Sequence, residues 1–444
     1  MFDLLLTELT VITVDPQMTV LHNAAVGVSN GKIAWLGDQS DKTEGITAKR
    51  TLALPGRVAC PGFVNVHTHA ILSMVRGVAE DLGFAPAYTP GIPHGHDVTR
   101  HEAVALSRLG AVEALLFGST LINDTYVHAD LTLPAMADLG GRVYSCGRIH
   151  DADFSLIGNG RWEHHRKIGT STLAAALELA ERFNGAFDGR TGVQLSAHAP
   201  DTCSDDLLRE IAAASRAHNL RVNTHLAQSQ SEVTQIQRRS TCTPAQLLED
   251  VGLLNDRLIA AHCIHMDDAD ITRCGRAGIH VAHIPKGNAT GGTMAHTSAL
   301  RRAGASITLG SDNMHADMVE VLRWALCMGR LQDGAVTDNW QPADVLRMAT
   351  IDGARAMGLE DRIGSLEVGK QADIVVLDFR RPHLVPCENA LGNLVHVAQG
   401  RDVEHVFVDG QQVVDSGRPV HVDLEVLLSE ATAASRALWQ RARA

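Results

Sequence analysis

The chain is poor in aromatic residues and has no long apolar run. Phe, Trp and Tyr together make up only 4% of its 444 residues. No stretch of about 18 consecutive apolar residues, the length that crosses a bilayer, is present. The N-terminus also lacks the basic segment and the small-residue cleavage site of a signal peptide. The sequence therefore predicts neither a membrane span nor a signal peptide.

Basic charge and closely paired cysteines are scarce as well. Lys and Arg number 39 against 51 Asp and Glu, which gives a formal charge of −12. Binding to nucleic acid or to an anionic membrane needs basic patches, so this balance argues against both partners. The eight cysteines are scattered without a C-x-x-C pair, which indicates reduced thiols. We expect a cytoplasmic protein with a small-molecule substrate.

Histidine is abundant, with 23 residues, and two histidines close a motif of particular interest. The run P-G-F-V-N-V-H-T-H at 61–69 ends in His67 and His69. Residues 58–66 are typical of a buried strand, and residues i and i+2 of a strand point to the same face. Both imidazoles would therefore leave the strand end together, at a spacing that suits a metal. Taken alone, the motif could equally be two polar residues at a strand end.

Strand patterns occur at both ends of the chain. Residues 1–56 alternate as short strands, with Asn30-Gly31 marking a hairpin turn. A similar pattern returns at 365–422. Because neither piece is large enough to bury a sheet alone, we expect one small β-sandwich domain built from both ends. Residues 423–444 are predicted as a C-terminal helix with Asp423 as N-cap.

The middle of the chain alternates strands and helices in the rhythm of βα units. Eight such units over 57–364 favour an α/β fold, a closed (β/α)8 TIM-type barrel of parallel strands. An open doubly wound sheet is the alternative, but no Gly-rich phosphate loop follows a strand. The predicted strands are 58–66, 120–124, 142–148, 192–198, 221–226, 258–264, 279–284 and 306–311. The predicted helices are 101–117, 171–186, 204–217, 267–276, 295–304 and 317–330.

Histidines lie at the ends of five predicted barrel strands, and an aspartate follows the last strand. In barrels of this kind the chemistry lies at the C-terminal ends of the strands. Imidazole and carboxylate ligands suit zinc or iron, and a catalytic site keeps one position open for water. The residues at these strand ends are His67, His69, His198, His225, His262, His283 and Asp312.

The same motifs resemble those of a known family. The chain is similar to the amidohydrolase superfamily, in the branch of the triazine hydrolases, S-adenosylhomocysteine deaminase and guanine deaminase. The resemblance runs through nearly the whole chain, in order. Its motifs are P-G-F-V-N-V-H-T-H at 61–69, H-A-P-D-T-C-S at 198–204, T-H-L-A at 224–227, A-H-C-I-H at 261–265, L-G-S-D-N at 309–313, G-K-Q-A-D-I-V-V-L-D at 369–378 and V-F-V-D-G at 406–410.

The resemblance implies a ligand set and a mechanism. One divalent metal per chain would be bound, with zinc as first choice and iron as second, by His67, His69, His225 and Asp312. His262 would lie beside the metal-bound water and polarise the group under attack, while Asp312 takes the proton of that water. His198 would contact the substrate. Predicted strand 4 lacks the lysine that binuclear relatives carbamylate, which favours one metal. Members of this branch are commonly dimers or larger, so a homo-oligomer is implied.

One position departs from the family pattern. Deaminases and dechlorinases of this branch usually carry a glutamate three residues after the strand-5 histidine, where this chain has Gln228. An amide cannot carry a proton at useful pH. Glu232, further along, is predicted as a solvated or capping position. We therefore expect Asp312 to act alone as base and then as acid, which favours an amide, urea, carbamate or similar carbonyl-centred C–N bond.

Further residues are candidates for substrate binding. Ile284 stands where the family often has asparagine, although Asn288 keeps the later position. His296 and His315 follow predicted strands 7 and 8 closely. Phe84 and Tyr88 lie in a Pro- and Gly-rich loop after strand 1 and could pack on a flat substrate or anchor that loop.

The sequence thus predicts a metal-dependent hydrolase of a non-peptide C–N bond in a small nitrogen-containing molecule, acting through a metal-bound hydroxide. A hydrolytic deaminase or dechlorinase of a triazine, purine or pterin is the alternative enzyme. A non-catalytic barrel scaffold is the alternative of another class, and the intact ligand positions argue against it.

Overall fold

A computed structural model of the chain describes residues 1–42, 47–82, 92–93, 97–313 and 315–443. Two sheets of eight strands each form its framework. The first sheet has the order β16-β15-β14-β13-β4-β1-β2-β3. Its strands are β1 (Phe2–Ile12), β2 (Val20–Ser29), β3 (Lys32–Asp38), β4 (Ala48–Pro61), β13 (Ile374–Asp378), β14 (Val403–Val408), β15 (Gln411–Asp415) and β16 (Arg418–Pro419).

The first sheet joins both ends of the chain, as predicted. Strand β4 pairs in parallel with β1 and antiparallel with β13, so the N-terminal and C-terminal strands meet there. Successive side chains of β13 pack into two different hydrophobic cores, one on each face of the sheet. Ile374 and Val376 belong to a small core of the sheet itself, whereas Val375 and Leu377 face the main core, as a period of two requires. Division of the chain into domains at 1–56 with 365–422, 57–364 and 423–444 stays a prediction.

The second sheet is the parallel barrel. Its eight strands follow chain order, so the predicted α/β barrel fold is confirmed. Its strands are β5 (Phe63–Thr68), β6 (Ser119–Tyr126), β7 (Arg142–Ile149), β8 (Thr191–Ala197), β9 (Val222–Leu226), β10 (Leu258–His262), β11 (His280–His283) and β12 (Ser306–Leu309). One predicted strand is divided: 58–61 ends β4, and the barrel begins at Phe63.

Hydrogen bonds between the first and last barrel strands draw the barrel together. The amide of Asp312 donates to the carbonyl of His67 at 3.0 Å, and the amide of His69 donates to the carbonyl of Asp312 at 3.1 Å. The side chain of Asn65 donates to Ser311 Oγ at 2.7 Å. This seam places the end of β5 and the segment after β12 in register.

The helices surround the barrel. The six predicted helices are found near their expected bounds, as α2, α5, α7, α10, α12 and α13. The α-helices of the described residues are α1 (Ala79–Leu82), α2 (Arg100–Leu116), α3 (Ala129–Ala137), α4 (Phe154–Ile157), α5 (Arg166–Phe183), α6 (Ala186–Gly189), α7 (Asp205–His218), α8 (Gln230–Ser240), α9 (Pro244–Asp250), α10 (Asp268–Ala277), α11 (Pro285–Thr290), α12 (Thr297–Ala303), α13 (Met318–Asp333), α14 (Pro342–Met348), α15 (Ile351–Met357), α16 (Ala390–His396) and α17 (Leu424–Arg443).

The C-terminal helix α17 packs against the barrel near the end of β5. Asp423 caps it by accepting from the amide of Glu425 at 3.0 Å, as predicted. Trp439 Nε1 donates to the carbonyl of Met74 at 2.9 Å. Arg441 donates two bonds of 2.7 Å to the carboxylate of Glu102 on α2. Among the helices of the described residues, none is long and apolar enough to cross a membrane.

A buried ion pair joins the two sheets at the other end of the barrel. Arg142, the first residue of β7, donates bonds of 2.7 and 2.9 Å to Asp373 and a further bond to Asp409. Both Arg142 and Asp373 are buried. These aspartates are those of the G-K-Q-A-D and V-D-G motifs, so their role in the fold is to hold the mixed sheet against the barrel.

Candidate metal centre and active site

Four barrel strands bring histidines and one aspartate together at their C-terminal ends. His67 lies on β5 and His69 directly after it, His225 lies on β9 and His262 on β10, and Asp312 follows β12. The ring of His67 lies 4.8 Å from that of His69, 4.9 Å from that of His225 and 6.0 Å from that of His262, measured between centroids. All five side chains are buried. The structure therefore assembles residues that are far apart in sequence into one cluster.

Hydrogen bonds fix how two of these rings are protonated. His69 Nδ1 faces the carbonyl of Thr125 at 2.5 Å, and His225 Nδ1 faces the carbonyl of His198 at 2.6 Å. A carbonyl only accepts, so Nδ1 of each ring carries the proton. The two Nε2 atoms then face each other at 3.3 Å with lone pairs. Two acceptors at this distance repel each other, and a cation between them removes the repulsion.

The remaining members of the cluster complete a ligand set. Asp312 Oδ1 lies 3.3 Å from His69 Nε2 and 3.6 Å from His67 Nε2. Both ring nitrogens of His67 are buried without a hydrogen-bond partner in the described structure, although buried polar atoms are normally satisfied. One potential ligand atom each from His67, His69 and Asp312 lies within 4.8 Å of the others. The residues fit a divalent metal.

Burial and mutual repulsion keep these histidines neutral, as metal ligation requires. Burial lowers the pKa of His69 to about 3. Burial, together with the neighbouring imidazoles, holds the pKa of His67 and of His225 well below the usual value. Burial raises the pKa of Asp312, and His262 partly offsets that rise.

His262 lies beside this set: its ring is 5.5 Å from that of His225, and one of its ring nitrogens is within 4.8 Å of those of His67 and His225. Its Nε2 is 4.0 Å from Asp312 Oδ2, and its Nδ1 donates to Asn288 Oδ1 at 3.0 Å. The backbone of His262 is left-handed, with φ of 73°, a conformation that costs an ordinary residue about 1–2 kcal/mol. Asn288, predicted as a substrate contact, thus serves to orient His262.

His198 borders the cluster, and its contact with the substrate stays a prediction. Its ring centroid is 5.0 Å from that of His225, and its Nδ1 lies 2.8 Å from Thr202 Oγ1. Phe154 meets it edge to face at 5.0 Å. Because the His198 ring is held on two sides, its Nε2 has a fixed position for contact with a ligand.

Gln228 lies directly after the strand that carries His225, and its side chain is buried. Among the described residues, its amide side chain makes no hydrogen bond, so it is available to a ligand. Glu232 does not replace the missing glutamate, because its carboxylate accepts the backbone amides of Ala227 and Gln228 at 2.8 and 2.9 Å. Glu232 is fully buried rather than solvated, and the N-cap of the following helix is Ser229.

Two other residues predicted to contact the substrate differ in how exposed they are. His296 is exposed at the start of α12. His315 borders a cavity of about 200 Å³ beside Asn313 and Lys286, and burial lowers its pKa to about 4. Phe84 and Tyr88 lie outside the described residues.

Sequence reasoning missed the contribution of the third barrel strand. Arg148, near the end of β7, stacks its guanidinium 4.4 Å above the ring of Tyr126 and 5.4 Å from that of Phe154. Its charge contributes to the lowered pKa of His69 and of His198, after burial. Arg148 and Tyr126 also border a cavity of about 400 Å³ between α3 and α5. No motif surrounds Arg148, and only its position at a strand end could have indicated it.

Comparison with known proteins agrees with this arrangement. The model of the amidohydrolase family matches residues 58–413. The chain belongs to this family. It is 36% identical over 422 residues to a 5-methylthioadenosine/S-adenosylhomocysteine deaminase of Desulforudis audaxviator, covering 93% of this chain and 94% of the relative. It is 31% identical over 454 residues to a 5′-deoxyadenosine deaminase of Methanosarcina acetivorans, covering 100% of both.

Solved structures agree in fold. An adenosine deaminase of Xanthomonas campestris with bound zinc is 27% identical, with a TM-score of 0.86 over 100% of this chain and 99% of that chain. An atrazine chlorohydrolase of Arthrobacter aurescens in complex with zinc and atraton is 24% identical, with a TM-score of 0.85 over 97% of this chain and 100% of that one. The predicted family is confirmed: this amidohydrolase is a metal-dependent hydrolase of non-peptide C–N bonds.

Proposed function

We propose that His67, His69, His225 and Asp312 hold one zinc ion per chain, with iron(II) as the second choice. The observation that carries this proposal is the 3.3 Å separation of the His69 and His225 Nε2 atoms. Two nitrogen ligands at about 2.05 Å from zinc, at the tetrahedral angle, lie about 3.3 Å apart. The zinc named with two of the solved relatives also supports this choice. The lack of lysine on β8 favours one ion over two.

A zinc ion bound there would act as a Lewis acid and would supply a nucleophile from water at neutral pH. Asp312 takes the proton that the nucleophile releases, since its Oδ2 points away from the other ligands toward His262. His262 would polarise the group under attack through its Nε2. Its Nδ1 donates to Asn288 Oδ1 at 3.0 Å, which holds the ring in that orientation. Asp312 then returns the proton to the departing nitrogen.

The substrate that the site fits best is a small nitrogen-containing molecule with a carbonyl-centred C–N bond, such as an amide, urea or carbamate, cyclic forms included. The residue that favours this class of substrate is Gln228. It occupies the position where a proton-carrying glutamate would assist the leaving group, and the buried Glu232 is held by two backbone amides. A mechanism that relies on Asp312 alone suits attack on a carbonyl carbon. Gln228 and His198 would bind the substrate, with His296, His315, Phe84 and Tyr88 as further candidates.

A second candidate is a hydrolytic deaminase or dechlorinase of an N-heterocycle. The names of the relatives favour it, since the two curated proteins are deaminases of adenosine-like compounds. Purified protein with zinc restored would be screened against ureas, carbamates, cyclic amides, aminotriazines, pterins and adenosine derivatives. Release of an organic amine with a carboxylic or carbonic acid supports the first candidate. Release of ammonia from a ring amine, or of chloride, supports the second. No turnover of any of these classes would contradict both.

We also propose a cytoplasmic homo-oligomer, a dimer or larger. The free thiols support a reducing compartment, because most of the eight cysteines are buried and unpaired. Light scattering during gel filtration measures the oligomeric state, and a monomer at all concentrations would contradict the proposal.

A further inference from the structure

Glu232 is a fully buried carboxylate in the first turn of α8, seven residues after His225. Its two oxygens accept from consecutive backbone amides, those of Ala227 at 2.8 Å and Gln228 at 2.9 Å. No lysine or arginine of the described residues lies within ion-pair distance of it. The nearby charge that acts on it is Asp201, which adds to the effect of burial in raising its pKa. An unpaired buried carboxylate is costly, so its retention needs an explanation.

The start of α8 has an N-cap of its own. Ser229 is the N-cap of α8, and its Oγ accepts from the amide of Glu232 at 3.1 Å. The Glu232 side chain points back beyond that cap, to the turn that follows β9. The amide of Ser229 acts on the same carboxylate and lowers its pKa, after the amides of Ala227 and Gln228, so the side chain reaches further back than the N-cap amide at which a capping box ends. Glu232 therefore acts on the turn at 226–228.

That turn is strained and is connected to the turn that carries His262. Ala227 has a left-handed backbone with φ of 49°, which an alanine rarely adopts. Its carbonyl accepts from the amides of Ile264 and His265 at 3.2 and 2.9 Å, and the carbonyl of Leu226 accepts from the amide of Cys263 at 2.9 Å. Strained backbone of this kind persists only where the surrounding structure holds it in place.

The second turn is strained as well. His262 and Cys263 have φ of 73° and 54°. The turn after β9 and the turn after β10 therefore support each other, and the Glu232 carboxylate holds the first of them from behind. Gln228 extends from one turn and His262 from the other.

We propose that Glu232 is a positioning residue of the reaction: by holding the turn at 226–228, it sets the direction of the Gln228 amide and the place of His262 beside Asp312. This inference rests on the proposed function, because it has a catalytic consequence only if Gln228 and His262 act on the substrate. Glu232 itself touches neither substrate nor metal.

The test is Glu232→Gln in the full-length protein with zinc restored. The amide keeps the size of the side chain but offers one acceptor oxygen instead of two, so one backbone amide would face an NH2 group. We expect kcat to fall by roughly 10- to 100-fold, the effect of a small misplacement of acting groups, while KM changes by less than about threefold. Zinc content should stay at the wild-type level. Glu425→Gln, in the exposed first turn of α17, is the matched control and should leave kcat unchanged.

A double-mutant cycle separates the two routes by which Glu232 could act. If it positions Gln228, the fold-loss caused by Glu232→Gln should shrink in a Gln228→Ala background. A loss that stays the same size in that background identifies the route through His262. A purely structural role would lower the melting temperature without a change in kcat per bound zinc.

The inference is overturned if Glu232→Gln, folded and with full zinc, retains wild-type kcat. It is also overturned if activity falls only in proportion to lost zinc or to unfolded protein. Should Glu232→Gln fail to fold by circular dichroism, Glu232→Asp keeps the charge with a shorter reach and should show the same loss of kcat at unchanged KM. Failure of the proposed function itself is distinct, because the wild-type protein would then be inactive on every substrate class.

Discussion

Replacing Gln228 by glutamate tests the choice between the two kinds of chemistry. Gln228→Glu introduces the proton-carrying group that deaminases of this branch usually have at this position. If the reaction depends on such a group, its return should raise the native rate by up to roughly 10²–10⁴. If Asp312 already performs both proton transfers at a carbonyl carbon, the new carboxylate has no proton transfer left to perform. We then expect no gain in kcat/KM, or a loss.

The structure also gives the size of the accompanying loss in stability. Gln228 is only 6% exposed, and its backbone amide donates to the carboxylate of the fully buried Glu232. A second carboxylate close to the first, at an effective dielectric constant of about 20, would repel it by roughly 3 kcal/mol. For a chain of this size that corresponds to a fall in melting temperature of about 3 °C.

The assay is steady-state hydrolysis of the substrate found in the screen, with zinc content measured for each variant. Gln230→Glu is the matched control, because it makes the same chemical change two residues away at an exposed position. It should leave both rate and melting temperature unchanged. Gln228→Ala should weaken activity modestly. A rise of tenfold or more in the native rate of Gln228→Glu, at full zinc, would refute the carbonyl assignment and identify a deaminase-type catalyst.

Three further changes have clear expected results. Asp312→Asn should lower kcat by roughly 10² or more, since an amide cannot take the proton; near wild-type turnover would contradict its role as base. His262→Ala should lower kcat by a similar factor of roughly 10² with zinc retained, and loss of zinc instead would make it a ligand. Arg142→Met leaves the buried Asp373 without its partner, which should destabilise the fold by about 3–5 kcal/mol; an unchanged midpoint in urea denaturation would contradict that.

The strand ends could be predicted from the sequence because two simple regularities act together. Alternation places His67 and His69 on one face of a strand, and parallel strands of a barrel end on the same side. Once the eight strands are recognised, His225, His262 and Asp312 must converge. The distances among them, and the tautomers set by the carbonyls of Thr125 and His198, need coordinates.

Other features depend on packing that a linear pattern does not reveal. Glu232 follows a helix start, where glutamates are usually solvated, and only the turn that folds back over it explains its burial. Arg148 lies against two aromatic rings from different elements, Tyr126 at the end of β6 and Phe154 at the start of α4. His296 lies close to β11 in sequence yet is exposed, since the chain turns outward before α12. The end of β4 at Pro61 was hidden because its apolar run continues into β5 without a break.

The most direct test of the metal centre is the zinc content of the purified chain, measured by plasma mass spectrometry after metal restoration and dialysis. The wild-type protein should bind about one ion per chain. The variant with both His67→Ala and Asp312→Ala should bind almost none, while His296→Ala, at an exposed position, should match the wild type. Full occupancy in the double variant, or no stoichiometric metal in the wild type, would contradict the proposed centre.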